Sequence, residues 1–382
     1  MKKKEKKKKK SSAEKAEQPE KVDVGKTDGT VGASAVIPTT PSTPMTPPAK
    51  PSSQKRSVST PVQAGQWKQE AIGKSWLEKA DFFKAKNDYD AIRSLGVNVE
   101  AECKKWSANQ KLNRSEEYPS LDSNLLKLDE YVNINQIDGV LSRPILMAQY
   151  PIAEHEGPFW KTVFDKKAMR IYICNSPGED LFFPQVAEEF KVYGGMWVNN
   201  RHVSGANAGV THASIEVLPP ECSNSIISGV RVINDWAPLK VPPKNSAVVR
   251  EIVDMMEYLK NAAQDETVLI MSLNGSARSA FFLALSAAIQ KLEDGIEPCI
   301  ADIVKTICVQ RPKAEGSFNQ YIGLYTAVFY YIGKKSKELS VKCDELTKRF
   351  AAELEAEAAK QSQMVTFSTA SAISMTVTTG QK

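Results

Sequence analysis

Residues 267–285 read TVLIMSLNGSARSAFFLAL. The run Val268–Met271 is apolar and reads as a strand. Small and polar residues follow, with Gly275 among them, then Arg278 and an apolar helical segment over 279–292. Strand, small-residue loop, arginine and helix together build an anion cradle. Backbone N–H groups line the loop, the helix start adds partial positive charge, and a guanidinium can clamp two oxygens at once. The candidate phosphate-binding residues are Ser272, Asn274, Gly275, Ser276, Ala277 and Arg278. The same order also arises in a plain tight turn, with Arg278 paired to an internal carboxylate. Both readings stand at this point.

Outward from that stretch, 248–259 is amphipathic, and helices are expected over 299–309 and 316–333. A long polar helix, Lys337–Lys360, is read as solvated because it is short of coiled-coil hydrophobics. On the N-terminal side, Trp76, Phe82, Phe83 and Ile92 carry helical spacing within 67–106. From 118 to 235 the chain turns to short β-rich runs, MRIYIC (169–174) and SGVRVIND (228–235), separated by Gly/Pro turn signals. The pattern predicts an α+β domain with a mixed central sheet flanked by helices. The expected organisation is a disordered Lys/Pro/Thr-rich arm over 1–65, a folded domain over 66–345, and a polar helix end with a disordered Ser/Thr-rich tail over 346–382.

The 382 residues are 42% hydrophobic, so a wholly disordered chain is excluded. Charge is uneven. Residues 1–65 hold 14 Lys/Arg against 6 Asp/Glu and no Phe, Tyr or Trp, whereas the remainder is slightly acidic. The lysine-rich start is a solvated tail or a patch for anionic surfaces. No basic face, and so no nucleic-acid binding, is expected of the folded part. Thr40, Thr43, Thr46 and Thr60 each precede a proline and fit a proline-directed kinase. The six cysteines show no C-x-x-C spacing and there are three histidines, so neither a metal site nor a disulfide framework is expected. No cofactor is called for. His155, His202 and His212 are read as surface or core residues, and Trp160 and Trp236 as packing residues. No apolar run reaches the ~20 residues of a membrane span, and a cytoplasmic or nuclear location is expected.

The flanks of the opening stretch resemble the classical protein tyrosine phosphatase family. Its signature, His-Cys-Ser-Ala-Gly-x-Gly-Arg-Thr-Gly, falls on Met271-Ser272-Leu273-Asn274-Gly275-Ser276-Ala277-Arg278-Ser279-Ala280. Asn113-Arg114-Ser115, with Asp122 after it, resembles the family's Asn-Arg-Tyr loop. Tyr131-Val132-Asn133-Ile134-Asn135 resembles Tyr-Ile-x-Ala-Asn. Gln149-Tyr150-Pro151 with Phe159-Trp160 resembles Gln-Gly-Pro with Phe-Trp. Phe182-Phe183-Pro184 stands for Tyr-Trp-Pro, Trp236-Ala237-Pro238 for Trp-Pro-Asp, and Gln310-Arg311-Pro312 with Gln320-Tyr321 for the last motif. The resemblance covers about residues 100–335 and implies a highly twisted mixed sheet.

The departures from the family pattern bear on function. Ser272 stands where the resemblance places the nucleophilic cysteine, Pro238 for the general-acid aspartate, Gly316 for the water-positioning glutamine and Ser115 for the ring-stacking tyrosine. A cradle lowers a thiol's pKa far enough for attack, while a serine hydroxyl starts far higher and has no base nearby in sequence. General acid–base work is itself worth about 10²–10⁴-fold. The resemblance therefore implies a pseudophosphatase, similar to the nematode members of the family that lack catalytic residues. The expectation is a non-catalytic adaptor in phosphotyrosine signalling, with protein partners such as tyrosine-phosphorylated proteins or a kinase. A phosphotyrosine reader using Arg278 and a weakly active phosphatase remain as alternatives.

Overall fold

The computed structural model describes residues 67–207, 209–234, 236 and 243–377. The arm expected over 1–65, and with it the Thr-Pro sites, lies outside the described residues, as does Pro238. The described residues open with helices α1 (Glu70–Glu78), α2 (Phe82–Arg93), α3 (Val99–Glu102) and α4 (Lys104–Ala108). Strands β1 (Ile134–Ile137) and β2 (Ile145–Gln149) lead to α5 (Glu156–Asp165). Then come β3 (Ala168–Cys174), β4 (Phe190–Tyr193), β5 (Met196–Asn207), β6 (Val210–Leu218) and β7 (Ile226–Ile233). The C-terminal part runs α6 (Asn245–Asn261), β8 (Thr267–Ser272), α7 (Ala277–Glu293), α8 (Ile300–Cys308), α9 (Phe318–Lys335) and α10 (Lys337–Val377).

The eight strands form one sheet in the order β1-β2-β8-β3-β7-β6-β5-β4. Its centre, β2-β8-β3-β7, is parallel, and both flanks are antiparallel. The expected mixed sheet is thus present. Because successive strand side chains point to opposite faces, β8 divides its apolar run. Val268 and Ile270 enter the large core shared with α1, α2 and α6–α10. Leu269 and Met271 enter the opposite core with Phe159, Trp160 and Val163 of α5. Burial on both faces is why the run is apolar throughout. Trp160 and Trp236 are almost wholly buried, in agreement with their reading as packing residues.

The last helix departs from expectation. Leu339, Cys343, Leu346 and Phe350 recur at 4-3-4 spacing and are buried, so α10 packs against α9 rather than standing in solvent. Phe350 is fully buried against Phe82, Tyr325 and Phe329. The packed domain therefore passes the expected bound at 345. The backbone stays helical to Val377, where the sequence predicts a disordered tail. Extending a formed helix adds one hydrogen bond per residue fixed and needs no new nucleus.

Candidate functional site

Strand periodicity puts Ser272 on the Val268/Ile270 face, toward α7, and the structure agrees: its Oγ lies 3.2 Å from Ser279 Oγ. Ser279 Oγ also donates to Ser276 O at 2.8 Å, and either hydroxyl can be the donor between the two serines. Ser272 is buried, between Gln149 on β2 and Cys174 on β3 in register. Beyond it the loop turns back, with Gly275 N donating to Ser272 O at 3.0 Å. Gly275 has φ +63°, and a Cβ there would lie 2.3 Å from Gln149 N and 2.5 Å from Ala148 C. Those atoms are sheet backbone and cannot yield, so only glycine closes the loop against β2. Ser276 is the N-cap of α7 without a side-chain cap bond. Its Oγ donates to Lys313 O at 3.1 Å, tying the loop to the segment before α9.

Arg278 does not stand open. Its Nη2 donates to Glu179 Oε1 at 2.7 Å, and its Nη1 donates to Glu179 Oε2 at 3.0 Å and to Ser176 Oγ at 2.9 Å. The arginine side chain is 4% exposed and the glutamate 12%, so this is a buried, two-point ion pair. Ser176 in turn donates to the carbonyl of Trp236, the last described residue before the Pro238 segment. Glu179 was missed at the sequence level. It lies 99 positions from Arg278 in a loop of its own, and no local pattern links them.

The resemblance motifs converge around this loop. The Arg114 side chain donates to Tyr150 O and Pro151 O, while Gln149 Oε1 accepts from Arg114 N. Tyr131 donates through its hydroxyl, and Asn133 through its amide, to Asn113 Oδ1. Arg311 is fully buried and donates to Asn133, Asn135 and the carbonyl of Asn274, which anchors the loop from the other side. Desolvation lowers its pKa to about 10.

The positions that the resemblance singles out also show their surroundings. Ser115 turns inward on its own chain, its Oγ accepting from Glu117 N at 3.1 Å. Gly316 has φ +67°, and a Cβ there would stand 2.5 Å from Gln320 Oε1, leaving no room for a longer side chain unless Gln320 moves. Cys174 is the thiol beside Ser272, but it is completely enclosed and burial pushes its pKa far up. His155 binds the carbonyl of Tyr131, and His212 lies 3.4 Å from the buried carboxylate of Glu251 on α6. Among the described residues no group of His, Cys, Asp or Glu is placed to hold a metal ion. No helix among them is long and apolar enough to cross a membrane.

Sheet, strand–loop–helix and arginine define a phosphatase-like cradle of the cysteine-dependent class, with serine at its base. Residues 109–330 match the model of the family described as protein-tyrosine phosphatase, and the chain belongs to that family. It is 24% identical over 295 residues to Putative tyrosine-protein phosphatase B0280.11 of Caenorhabditis elegans, covering 70% of this chain and 65% of that protein. It is 26% identical over 186 residues to Putative tyrosine-protein phosphatase C15H7.3 of the same organism, covering 47% of this chain and 45% of that one. The chain thus spans less than two thirds of either relative's length. Among solved structures, the fold is similar to the protein tyrosine phosphatase TcPTP1 of Trypanosoma cruzi. The TM-score is 0.62 at 14% identity, over 68% of this chain and 96% of that one.

Proposed function

We propose that this domain works without turnover, as an adaptor or regulator in phosphotyrosine signalling that acts through protein contacts. The observation that carries this reading is the chemistry at the end of β8. Among the described residues the Ser272 hydroxyl is hydrogen-bonded to another hydroxyl, that of Ser279, and not to a base. The neighbouring thiol of Cys174 is held protonated by burial and does not replace it. The family's general-acid position carries Pro238, which has no proton to give. Without nucleophile and acid the covalent route is lost, and the retained scaffold is left to bind.

A second reading is supported by the loop itself. Gly275 keeps the cradle's curvature and Arg278 stands at the helix start, so a phosphotyrosine could be read there. That requires the phosphate dianion to displace Glu179 from both guanidinium nitrogens.

The test uses the full chain. Turnover of an activated aryl phosphate is measured beside calorimetric titration with phosphotyrosine peptides and with vanadate. The adaptor reading expects turnover at the buffer level and no binding that depends on Arg278. Binding abolished by Arg278→Ala in a folded sample establishes the reader instead. Turnover lost in Ser272→Ala overturns the non-catalytic reading altogether.

A further inference from the structure

The two edges of the sheet are not alike. At one edge β1 is itself covered: Leu126 N donates to Ile134 O at 3.0 Å, and Gln136 N donates to Asn124 O at 2.8 Å. At the other edge lies β4, which pairs with β5 alone among the described residues. Hydrogen-bonded and non-bonded pairs alternate along an antiparallel ladder. Asn200 N donates to Glu189 O, so Glu189, Lys191 and Tyr193 turn their backbone groups toward β5. The N–H and C=O groups of Phe190 and Val192 therefore point outward along the open edge. The same two residues carry exposed apolar side chains, Phe190 59% and Val192 56%. They share a face with half-buried Trp197, whose ring centroid lies 5.8 Å from that of Phe190.

Edge strands are ordinarily blunted by short length, bulges or charge. β4 is short, and a bulge precedes it, where Glu188 N and Glu189 O both meet Asn200. Its own charge does not guard the edge. The Lys191 ammonium lies over the Tyr193 ring, 4.6 Å from the centroid, and 3.8 Å from Glu156 at the start of α5. The strand is also fixed in place. Tyr193 and Met196, on either side of the Gly194-Gly195 turn, are buried. A Cβ on Gly157 of α5 would stand 2.9 Å from Gly194 Cα, so the hairpin is seated directly on that helix. An edge already held in its extended form has little conformational entropy left to lose on pairing.

Charge selects the occupant. When β4 meets β4 of a second copy in antiparallel sense, the outward residues allow three symmetric registers. Phe190 opposite Val192 sets the two Lys191 side chains directly against each other, which is unfavourable. Val192 opposite Val192 gives Lys191 no acidic neighbour and runs Phe190 onto the Gly194 turn. Phe190 opposite Phe190 sets Glu189 of each copy against Lys191 of the other, two opposite-charge pairs at the ~5 Å spacing of cross-strand neighbours. Glu189 is exposed, its Oε2 accepting from Val186 N at 3.4 Å, and Lys191 is 62% exposed in its side chain. The same register brings the two Phe190 rings together across the two-fold axis. We infer that β4 pairs with β4 of a second copy of this chain in this register, giving a symmetric dimer with one sheet running through both copies. The inference stands on the edge alone and not on whether the domain turns over phosphate. β3, β7, β6 and β5 lie between β8 and β4, so each copy keeps its cradle clear of the joint.

The test is sedimentation velocity of the full chain over a concentration series, with hydrogen–deuterium exchange at the Phe190 amide measured on the same samples. A short edge makes a small interface, so the expected dimer dissociates with a constant of about 1–100 μM. Exchange at Phe190 slows as the dimer fills. Phe190→Asp leaves a monomer. Lys191→Glu and Glu189→Lys each weaken the dimer at least about tenfold, because like charges then face each other. An equimolar mixture of those two variants associates again, since opposite charges are restored across the axis. All three positions are exposed, and unchanged urea midpoints verify folding. A chain that stays monomeric through the series overturns the proposal. So does association that survives Phe190→Asp, or that neither charge reversal weakens. Slow exchange at Phe190 in a strictly monomeric sample assigns the edge to another segment of the same chain and overturns it as well.

Discussion

Arg278 and Glu179 face each other through two parallel hydrogen bonds of 2.7 and 3.0 Å, inside the protein and across 99 residues of sequence. The cradle's arginine is thereby a structural member before it is a ligand-binding one. Breaking a buried pair leaves one charge stranded, whereas removing both charges together does not. Arg278→Met is expected to cost about 3–5 kcal/mol in urea unfolding, and Arg278→Met/Glu179→Leu to recover most of the loss. Additive losses in the double variant would show that the two side chains are not coupled.

On the proposed reading, a cysteine at position 272 alone is expected to bring little turnover. Ser272→Cys puts a thiol at the base of the loop, but the leaving group still has no proton donor at Pro238. Aryl-phosphate turnover by Ser272→Cys should stay at least about 100-fold below that of Ser272→Cys/Pro238→Asp, the lower range of general-acid contributions. Equal rates for the two variants would contradict the assignment of the missing acid.

Glycine substitutions separate backbone strain from close packing. Gly139 has φ +70° with open space around its Cβ position, so Gly139→Ala should cost about 1–2 kcal/mol from the left-handed backbone alone. Gly275→Ala meets the same penalty and also drives a methyl into β2 backbone, adding about 1–3 kcal/mol. Parallel thermal or urea melts of the two variants measure the difference, which vanishes if the loop relaxes freely.

The last helix is expected to be part of the folding unit. Phe350→Ala removes a wholly buried ring and should destabilise by about 3–5 kcal/mol. A chain ending at residue 345 should lose at least as much. A truncated chain that melts with the intact one would return α10 to the role of a solvated appendage.

Thiol chemistry should report the same packing. Burial pushes Cys103 and Cys343 up to about 11, and Cys174 and Cys308 also rise. Each binds its proton more tightly folded than unfolded. The stabilisation is thus complete below pH ~9, the unfolded thiol range, and is lost as pH climbs toward the folded values. Urea midpoints should fall between about pH 9 and 11. Near pH 8 a thiol reagent should label Cys222 and exposed Cys299 first, with the other four reacting only on unfolding. Rapid labelling of all six in the folded protein would refute the burial.

What the sequence disclosed, and what it withheld, follows from the range of the interactions involved. The strand–loop–helix at 267–285 was readable because its causes are local: a doubly buried strand shows an uninterrupted apolar run, and a left-handed turn shows a glycine. The strands around residues 169–174 and 228–235 were readable for the same reason. Glu179 was invisible because a carboxylate carries no mark of the arginine it will meet. The stripe Leu339–Cys343–Leu346–Phe350 was present but diluted by Lys, Glu and Ala, and composition outweighed spacing.

Gly275 rests on the backbone of β2, and so the curve of the loop is drawn by the sheet and not by any ligand. Such a curve is a casting whose mould is the rest of the molecule. It stays the same shape whether an anion visits or never arrives. A side chain at the end of β8 can therefore be exchanged without the architecture registering the change.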